Sequence, residues 1–417
     1  MLERDANLIF TRILDIGEIM LRSGAEVYRV EDTISRLAAA YGAEKTHVFS
    51  IPSNIIATAV FSGMEITHSR RVMTVDTNLE LLDRMNDLAR RICSRTPDVG
   101  TIDKWMEKAL QVRKYKSLEK LVIFFIISFS FTVFFGGSWA DATASAIIGM
   151  ILYYAGILAK RAGGNIVFYD LFCAAVSSFL ALMSVRLGLA HNADKIIIGN
   201  VMLLIPGVEL VNGMRDFIAG DIQAGIMHIA EALFLAIIIA LGAAGVLTLL
   251  GGGAVNETFV PQGIWEIWII PIIMAAFGSL SFAMFFGICS DKLIFSFLGG
   301  ALNWFVYLLA MKCGNGLPEA LAYALGAAMA TLFAEILARV IKTPVTLFII
   351  TSVIPMVPGG SLYYTMLGLL QGNRIEFAER GVYTVTVAGS MALGMFSATM
   401  LFRIIFSLIK KPANQLK

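Results

Sequence analysis

Apolar positions along the first 117 residues change period twice. Ile9, Ile13, Ile16 and Met20 share one face of a helix over 3–22, and Gly24 stands where a helix ends. Val27, Val30, Ile34, Leu37 and Tyr41 follow at steps of 3, 4, 3 and 4, predicting a second helix closed by Gly42. β-Branched runs then predict strands at 47–51 and 55–61, with Ser62-Gly63 as a two-residue turn into 64–68. Thr77 and Glu80 have capping-box spacing and open a helix carrying Leu82, Met85, Leu88 and Ile92. A polar helix near 101–117 completes an ααβββαα order.

From Leu118 onward the pattern is long apolar runs with short breaks. A membrane helix needs roughly 20 mostly apolar residues. Ten runs qualify: 119–137, 140–160, 165–188, 194–219, 222–250, 264–288, 291–312, 318–340, 344–371 and 379–409. Charge placement sharpens this picture. Residues 1–120 hold 35 charged side chains, 29% of positions, whereas residues 121–417 hold 29, about 10%. The first value suits a water-facing domain and the second a bilayer-embedded body. With 1–117 cytoplasmic, ten Lys and Arg fall on the inner loops and tail and five on the outer side. That bias predicts N-in and C-in. The start, MLERDANLIF, has no apolar h-region, so no cleavable signal peptide is expected.

Sliding the chain by 152 positions lays Leu204-Ile205-Pro206-Gly207 on Met356-Val357-Pro358-Gly359. Spans one to five then repeat as six to ten. Five is odd, so the copies enter the membrane from opposite sides, an arrangement common among secondary transporters. The expected fold is a polytopic α-helical membrane protein of ten transmembrane helices in two inverted five-helix repeats, 118–255 and 260–411. A small cytoplasmic α/β domain at 1–117 precedes them, and a tail at 412–417 follows.

Proline removes a backbone donor and glycine loosens the next turn. A helix broken there presents free N–H groups of a new helix to an anion such as a carboxylate. Matched breaks in both halves point to a midplane binding site; structural kinks are the plainer alternative. The candidate substrate-binding set is Asn200, Pro206, Gly207, Glu209, Asn212, Ser352, Pro358, Gly359, Ser361 and Tyr364. Candidate proton carriers are Glu209, Asp170, Glu231 and Glu335, because an acid in an apolar run is costly without a cavity or partner. Glu335 and Arg339 also suit a local i,i+4 ion pair, and His228 and Glu231, on one helix face, suit a packed interhelical hydrogen bond ahead of a proton relay. Asp216 and Asp221 are expected at the cytoplasmic edge, where solvation explains them as well as function does.

Net charge is +2, so no basic field argues for nucleic acid. Cys93, Cys173, Cys289 and Cys313 lack metal-site spacing and read as packing residues; no metal or cofactor is expected. No nucleotide-binding or hydrolase signature occurs in the first 117 residues, so no catalytic residue is assigned. Their densest polar cluster is Gly24, Glu26, Tyr28, Arg29, Glu31 and Asp32. Its plain reading is a solvated helix face with i,i+3 pairs.

The run Ile16-Gly17-Glu18-Ile19-Met20-Leu21-Arg22-Ser23-Gly24-Ala25-Glu26-Val27-Tyr28-Arg29-Val30-Glu31-Asp32 resembles the opening signature of the threonine/serine exporter family. Ile51-Pro52-Ser53, Thr67-His68-Ser69-Arg70-Arg71 and Leu204-Ile205-Pro206-Gly207 continue the match. Ser352-Val353-Ile354-Pro355-Met356-Val357-Pro358-Gly359-Gly360 resembles the companion membrane domain, a separate chain in some members and fused here. The resemblance implies efflux of threonine and serine across a bacterial inner membrane, driven by the proton motive force without nucleotide hydrolysis. Split-chain relatives imply small dicarboxylates such as succinate as the alternative cargo. Two readings of other classes stand beside it: a membrane-tethered hydrolase or ligand sensor, and a passive channel. The expected partners are a small carboxylate-bearing substrate, protons and the lipid bilayer, and the polar helices near 77–117 offer surface for a homo-oligomer.

Overall fold

A computed structural model of the chain describes residues 3–73, 77–113, 115–251, 265–313 and 316–410. The tail at 412–417 lies outside the described residues, as do the adjoining ends of the two expected repeats.

The N-terminal region runs α1 (Glu3–Arg22), α2 (Val27–Ala40), β1 (Ala43–Ile51), β2 (Asn54–Phe61), β3 (Met64–Arg71), α3 (Leu79–Arg95) and α4 (Val99–Leu110). The strands form an antiparallel meander in the order β1-β2-β3. Ser62 and Gly63 both take positive φ (50° and 81°), the geometry of a tight hairpin turn. Alternate β2 residues Ile55, Ala57, Ala59 and Phe61 are buried, as are Phe10, Ile13 and Leu14 of α1, and Phe10 meets Phe61 edge-on at 6.0 Å. Each large side chain buried this way contributes roughly 1.5–3 kcal/mol. The cap of α3 is a correction. Asn78, not Thr77, accepts the hydrogen bond from Leu81 N at 2.9 Å, and Glu80 is taken up by Arg84 at 2.5 Å instead of closing a capping box. Thr77 faces Gly24, whose positive φ (92°) lets the chain leave α1 beside it.

The membrane body comprises α5 (Ser117–Phe134), α6 (Trp139–Arg161), α7 (Ile166–Arg186), α8 (Ala193–Val201), α9 (Gly207–Ala219) and α10 (Ile222–Leu250). It continues with α11 (Ile270–Phe285), α12 (Leu293–Cys313), α13 (Glu319–Ile341), α14 (Val345–Val353), α15 (Gly359–Leu370) and α16 (Arg374–Lys410). Among the described residues, eight helices are long and apolar enough to cross a bilayer. The segments Val345–Met356 and Gly359–Leu370, bent by 53°, make a ninth if counted as one span. The chain is a polytopic membrane protein.

The expected span 194–219 is not one helix. It breaks at Pro206 into α8 and α9, each too short to cross alone, and α9 carries Glu209, Arg215 and Asp216. The reason is backbone chemistry: the proline N cannot donate, so the ladder stops there. Elsewhere helices close on small residues, as membrane packing favours. A side chain at Gly149 of α6 would collide with Ser128 of α5, and one at Gly300 of α12 with Ser279 of α11. Helices α5 and α11 meet through Phe131 and Phe282, 5.7 Å apart and edge-on.

The N-terminal region is seated on one end of this bundle. Leu79 N donates to Phe286 O at 2.9 Å, Lys292 Nζ to Asp83 at 2.5 Å, and Arg90 to Lys342 O at 2.9 Å. The turns after α11 and α13 and the start of α12 therefore all face it.

Candidate functional site

The two Pro-Gly breaks share one local geometry. Pro206 stands before α9 at φ −74°, ψ 62°, and Pro358 before α15 at φ −74°, ψ 45°. Gly207 N donates to Ile205 O at 2.8 Å, and Gly359 N donates to Val357 O at 2.7 Å. The next helical bonds match too, Leu210 N to Pro206 O at 3.1 Å and Leu362 N to Pro358 O at 3.0 Å. The breaks also touch. A Cβ on Gly359 would lie 2.9 Å from Ile205, and one on Gly207 would lie 3.6 Å from Val357. Each glycine thus faces the residue before the other proline.

A cavity of about 470 Å³ opens beside this crossing. Pro206, Gly207 and Glu209 line it from the first break, and Ile354 and Val357 from the second. Asp170, Tyr169 and Asn165 line it from α7, Lys160 from the end of α6, and Thr77 from the N-terminal region. Asn165 is also the cap of α7, accepting from Phe168 N at 3.0 Å. Lys160 Nζ sits 5.4 Å from the centre of the Tyr169 ring. Its acidic and basic lining side chains are thus two carboxyls and one ammonium, alongside the Tyr169 phenol and the N-terminus of α9.

The other candidates are elsewhere. Asn200 is buried and spends both amide hydrogens, on Ser145 Oγ at 2.8 Å and Ile196 O at 3.0 Å, while accepting from Ser128 at 2.9 Å. It ties α8 to α5 and α6. Ser352 is buried against Gly299. Ser361 donates to Pro358 O at 2.9 Å, and Tyr364 donates to Asp194 at 2.5 Å. Asn212 is buried with Oδ1 unpartnered among the described residues. Glu335 is ion-paired with Arg339 on its own helix, and Glu231 is exposed on α10.

Two further readings change. Asp216 is not a solvated edge residue: it is 1% exposed, and His228 Nε2 lies 3.7 Å from it. His228 of α10 thus approaches Asp216 of α9 across the helix interface. The Gly24–Asp32 cluster is not a solvated face either. Glu26 is 2% exposed and ion-pairs with Arg215 of α9. Thr346 of α14 accepts from Arg29 at 2.8 Å and donates to Glu26 at 3.4 Å. Removing Glu26 from water raises the cost of its charge, and Arg215 offsets it. Burial, with the Glu26 carboxylate adding to it, pushes the Tyr28 phenol up. Glu31 accepts from Ser50 N at 2.7 Å and Ser50 Oγ at 3.1 Å, yet burial still raises its carboxyl above the ordinary range. Only Asp32 keeps a surface pair, with Arg36 at 2.9 Å.

Family models account for most of this chain. The one described as "Putative threonine/serine exporter" matches residues 12–250, and "Threonine/Serine exporter, ThrE" matches residues 271–401. The chain belongs to the threonine/serine exporter family. The first match spans the N-terminal region through α10 and the second spans α11 to α16, so both parts of the family are fused in one chain. A "Probable threonine/serine exporter" of Mycobacterium tuberculosis is 24% identical over 232 residues, 54% of this chain. The match spans 44% of that relative's own length. A "Probable succinate transporter subunit YjjP" of Escherichia coli is 23% identical over 240 residues, covering 57% of this chain and 93% of the relative. No solved structure matches.

Lys160, Arg215 and Thr346 were not singled out as site residues from the sequence. Lys160 and Arg215 are two of the ten Lys and Arg assigned to the inner side, and no spacing marks which of the ten line a cavity.

Proposed function

We propose that this family member is a secondary active exporter of threonine and serine, binding its substrate in the cavity at the crossing of the two Pro-Gly breaks. The observation that carries the reading is the composition of that cavity: a helix N-terminus together with Asp170 and Glu209. A zwitterion fits both halves. Its carboxylate takes the N–H groups that the first turn of α9 leaves without intrahelical partners, aided by the helix dipole. Its ammonium pairs with ionised Glu209.

Coupling follows from charge. A proton on Glu209 removes the partner of the ammonium, so proton and substrate compete for one group. That exclusivity is what an antiporter needs to trade inward protons for outward amino acid. Glu209 carries the coupling proton, with Asp170 beside it on the same cavity wall.

The inverted five-helix repeat belongs to this proposal. Its supports are the matched φ/ψ at Pro206 and Pro358 and the matched Ser128–Gly149 and Ser279–Gly300 contacts. The unit boundaries follow as 1–117, 118–255, 260–411 and 412–417, in the bacterial inner membrane with N-in and C-in. In support, Arg403 near the end of α16 lines the same cavity as Tyr28 of α2.

Proteoliposomes preloaded with radiolabelled threonine test the scheme. Acidifying the trans side should accelerate efflux, and Glu209→Gln should abolish that acceleration, a loss of tenfold or more. Gradient-driven efflux that survives Glu209→Gln removes Glu209 as the coupling group. The named relative motivates a dicarboxylate as second cargo, with Lys160 as its cation. Strong competition by succinate, lost in Lys160→Gln, favours that cargo over threonine.

A further inference from the structure

Where α2 and α3 meet the ends of α13 and α16, a second cavity of about 510 Å³ is lined by six guanidiniums, Arg29, Arg36, Arg90, Arg215, Arg339 and Arg403. Four carboxylates answer them. Glu26 is paired with Arg215, Asp32 with Arg36, Asp87 with Arg90, and Glu335 with Arg339. Arg29 leans on Thr346 and stands 4.0 Å from Glu26. Arg403 is exposed and has no charged partner among the described residues. The cavity thus keeps a net positive charge.

This cavity continues into an apolar groove. Tyr28, Arg215, Thr399 and Arg403 line both, and the groove then follows α16 along Met400, Phe396, Met395 and Ala392, with a volume of about 360 Å³. From Arg403 back to Ala392 is eleven helical steps, on the order of 16 Å at 1.5 Å each. Half of a bilayer's hydrocarbon thickness is about 15 Å. A cationic mouth at the bundle end and an apolar channel one leaflet deep have the shape and charge of an acidic phospholipid.

We propose that this is a binding site for one anionic phospholipid of the cytoplasmic leaflet, its phosphate at Arg403, Arg215 and Arg29 and one acyl chain along α16. The guanidinium fork suits a phosphate, binding through paired N–H donors. Because the lipid touches α2, α9 and α16 together, it joins the N-terminal region to both halves of the body. The site is separate from the Pro-Gly cavity and stands whichever solute is exported.

The test is native mass spectrometry of the full chain in non-ionic detergent, titrated with dioleoylphosphatidylglycerol, dioleoylphosphatidylcholine or tail-less glycerophosphoglycerol. One phosphatidylglycerol should be retained at least tenfold more tightly than phosphatidylcholine. Arg403→Gln should weaken it about fivefold, the scale of one basic side chain at an anionic surface. Met400→Glu, at an exposed groove position, should also release it. Equal retention of the two lipids, or no effect of Arg403→Gln, overturns the proposal. The absence of any retained lipid also overturns it, and glycerophosphoglycerol bound as tightly as the lipid overturns it in favour of a soluble phosphate site.

Discussion

The two Pro-Gly breaks have the same backbone and different chemistry. After Pro206 the chain places Glu209, Asn212, Arg215 and Asp216 on α9; after Pro358 it places Gly360, Ser361, Tyr363 and Tyr364 on α15. The first break holds the ionisable groups and, through Arg215, receives Glu26 of the N-terminal region. The second holds hydroxyls already engaged with Pro358 O and Asp194, and its helix is mostly buried. One backbone device therefore serves two tasks. The α9 copy carries charge and is tied to the N-terminal region, whereas the α15 copy supplies a packed wall.

The largest test of that asymmetry is Arg215→Met. It leaves Glu26 charged and buried, and breaking one side of a buried pair costs about 3–5 kcal/mol. Arg29 and Thr346 remain near Glu26, so the loss should fall at the low end, about 3 kcal/mol. Chemical denaturation in detergent measures it. The double variant Glu26→Gln/Arg215→Met should recover much of the loss, as removal of both charges does in other buried pairs. A single variant as stable as the parent would show that α9 is not anchored through this pair.

That pair also marks where the sequence stopped being informative. Element types were legible because they depend on local spacing: the strands expected at 47–51, 55–61 and 64–68 run 43–51, 54–61 and 64–71. Pro206 and Pro358 were legible as breaks because proline removes a donor wherever it sits. Glu26 was not legible as an interface residue. Its contact Thr346 lies 320 positions along the chain, and no periodicity encodes which helix end meets which. The same gap explains Asp216, expected at a solvated edge but buried, with His228 of α10 3.7 Å away. It explains Asn200 as well, whose amide is consumed by Ser145 and Ile196. Side-chain identity suggested a ligand, and tertiary packing had already used the donors.

A smaller effect separates the glycines at the two breaks. A methyl group on Gly359 would come 2.9 Å from two carbons of Ile205, whereas on Gly207 its closest neighbour is Val357 at 3.6 Å, ordinary contact. Gly359→Ala should therefore destabilise by about 1–3 kcal/mol, the usual cost of overpacking. Gly207→Ala should leave the melting midpoint near the parent's. Melting curves of the two variants in detergent read the difference. Equal losses at both sites would mean that the crossing is symmetric in packing, and that only the charges distinguish the copies.

The smallest effect guards the reading of any pH dependence in transport. If Glu209 carries the coupling proton, its signal must be separated from titration elsewhere in the chain. His68 of β3 is the group to remove. Burial lowers its pKa from the ordinary 6.5, and the neighbouring Arg70 lowers it further. Nε2 lies 2.6 Å from Asn7 Oδ1 and 3.4 Å from Thr11 Oγ1. The folded state thus favours neutral imidazole. As pH falls through 6.5 the unfolded chain takes up a proton first, so stability drops until pH passes below the folded value and is then level. Screening at this partly exposed site keeps the change well under about 1 kcal/mol. His68→Gln should flatten the melting midpoint between pH 6.5 and the mildly acidic range. The acid dependence of threonine efflux should persist in the same variant. If that dependence disappears with His68, the gradient acts through the N-terminal region and not through the α9 break.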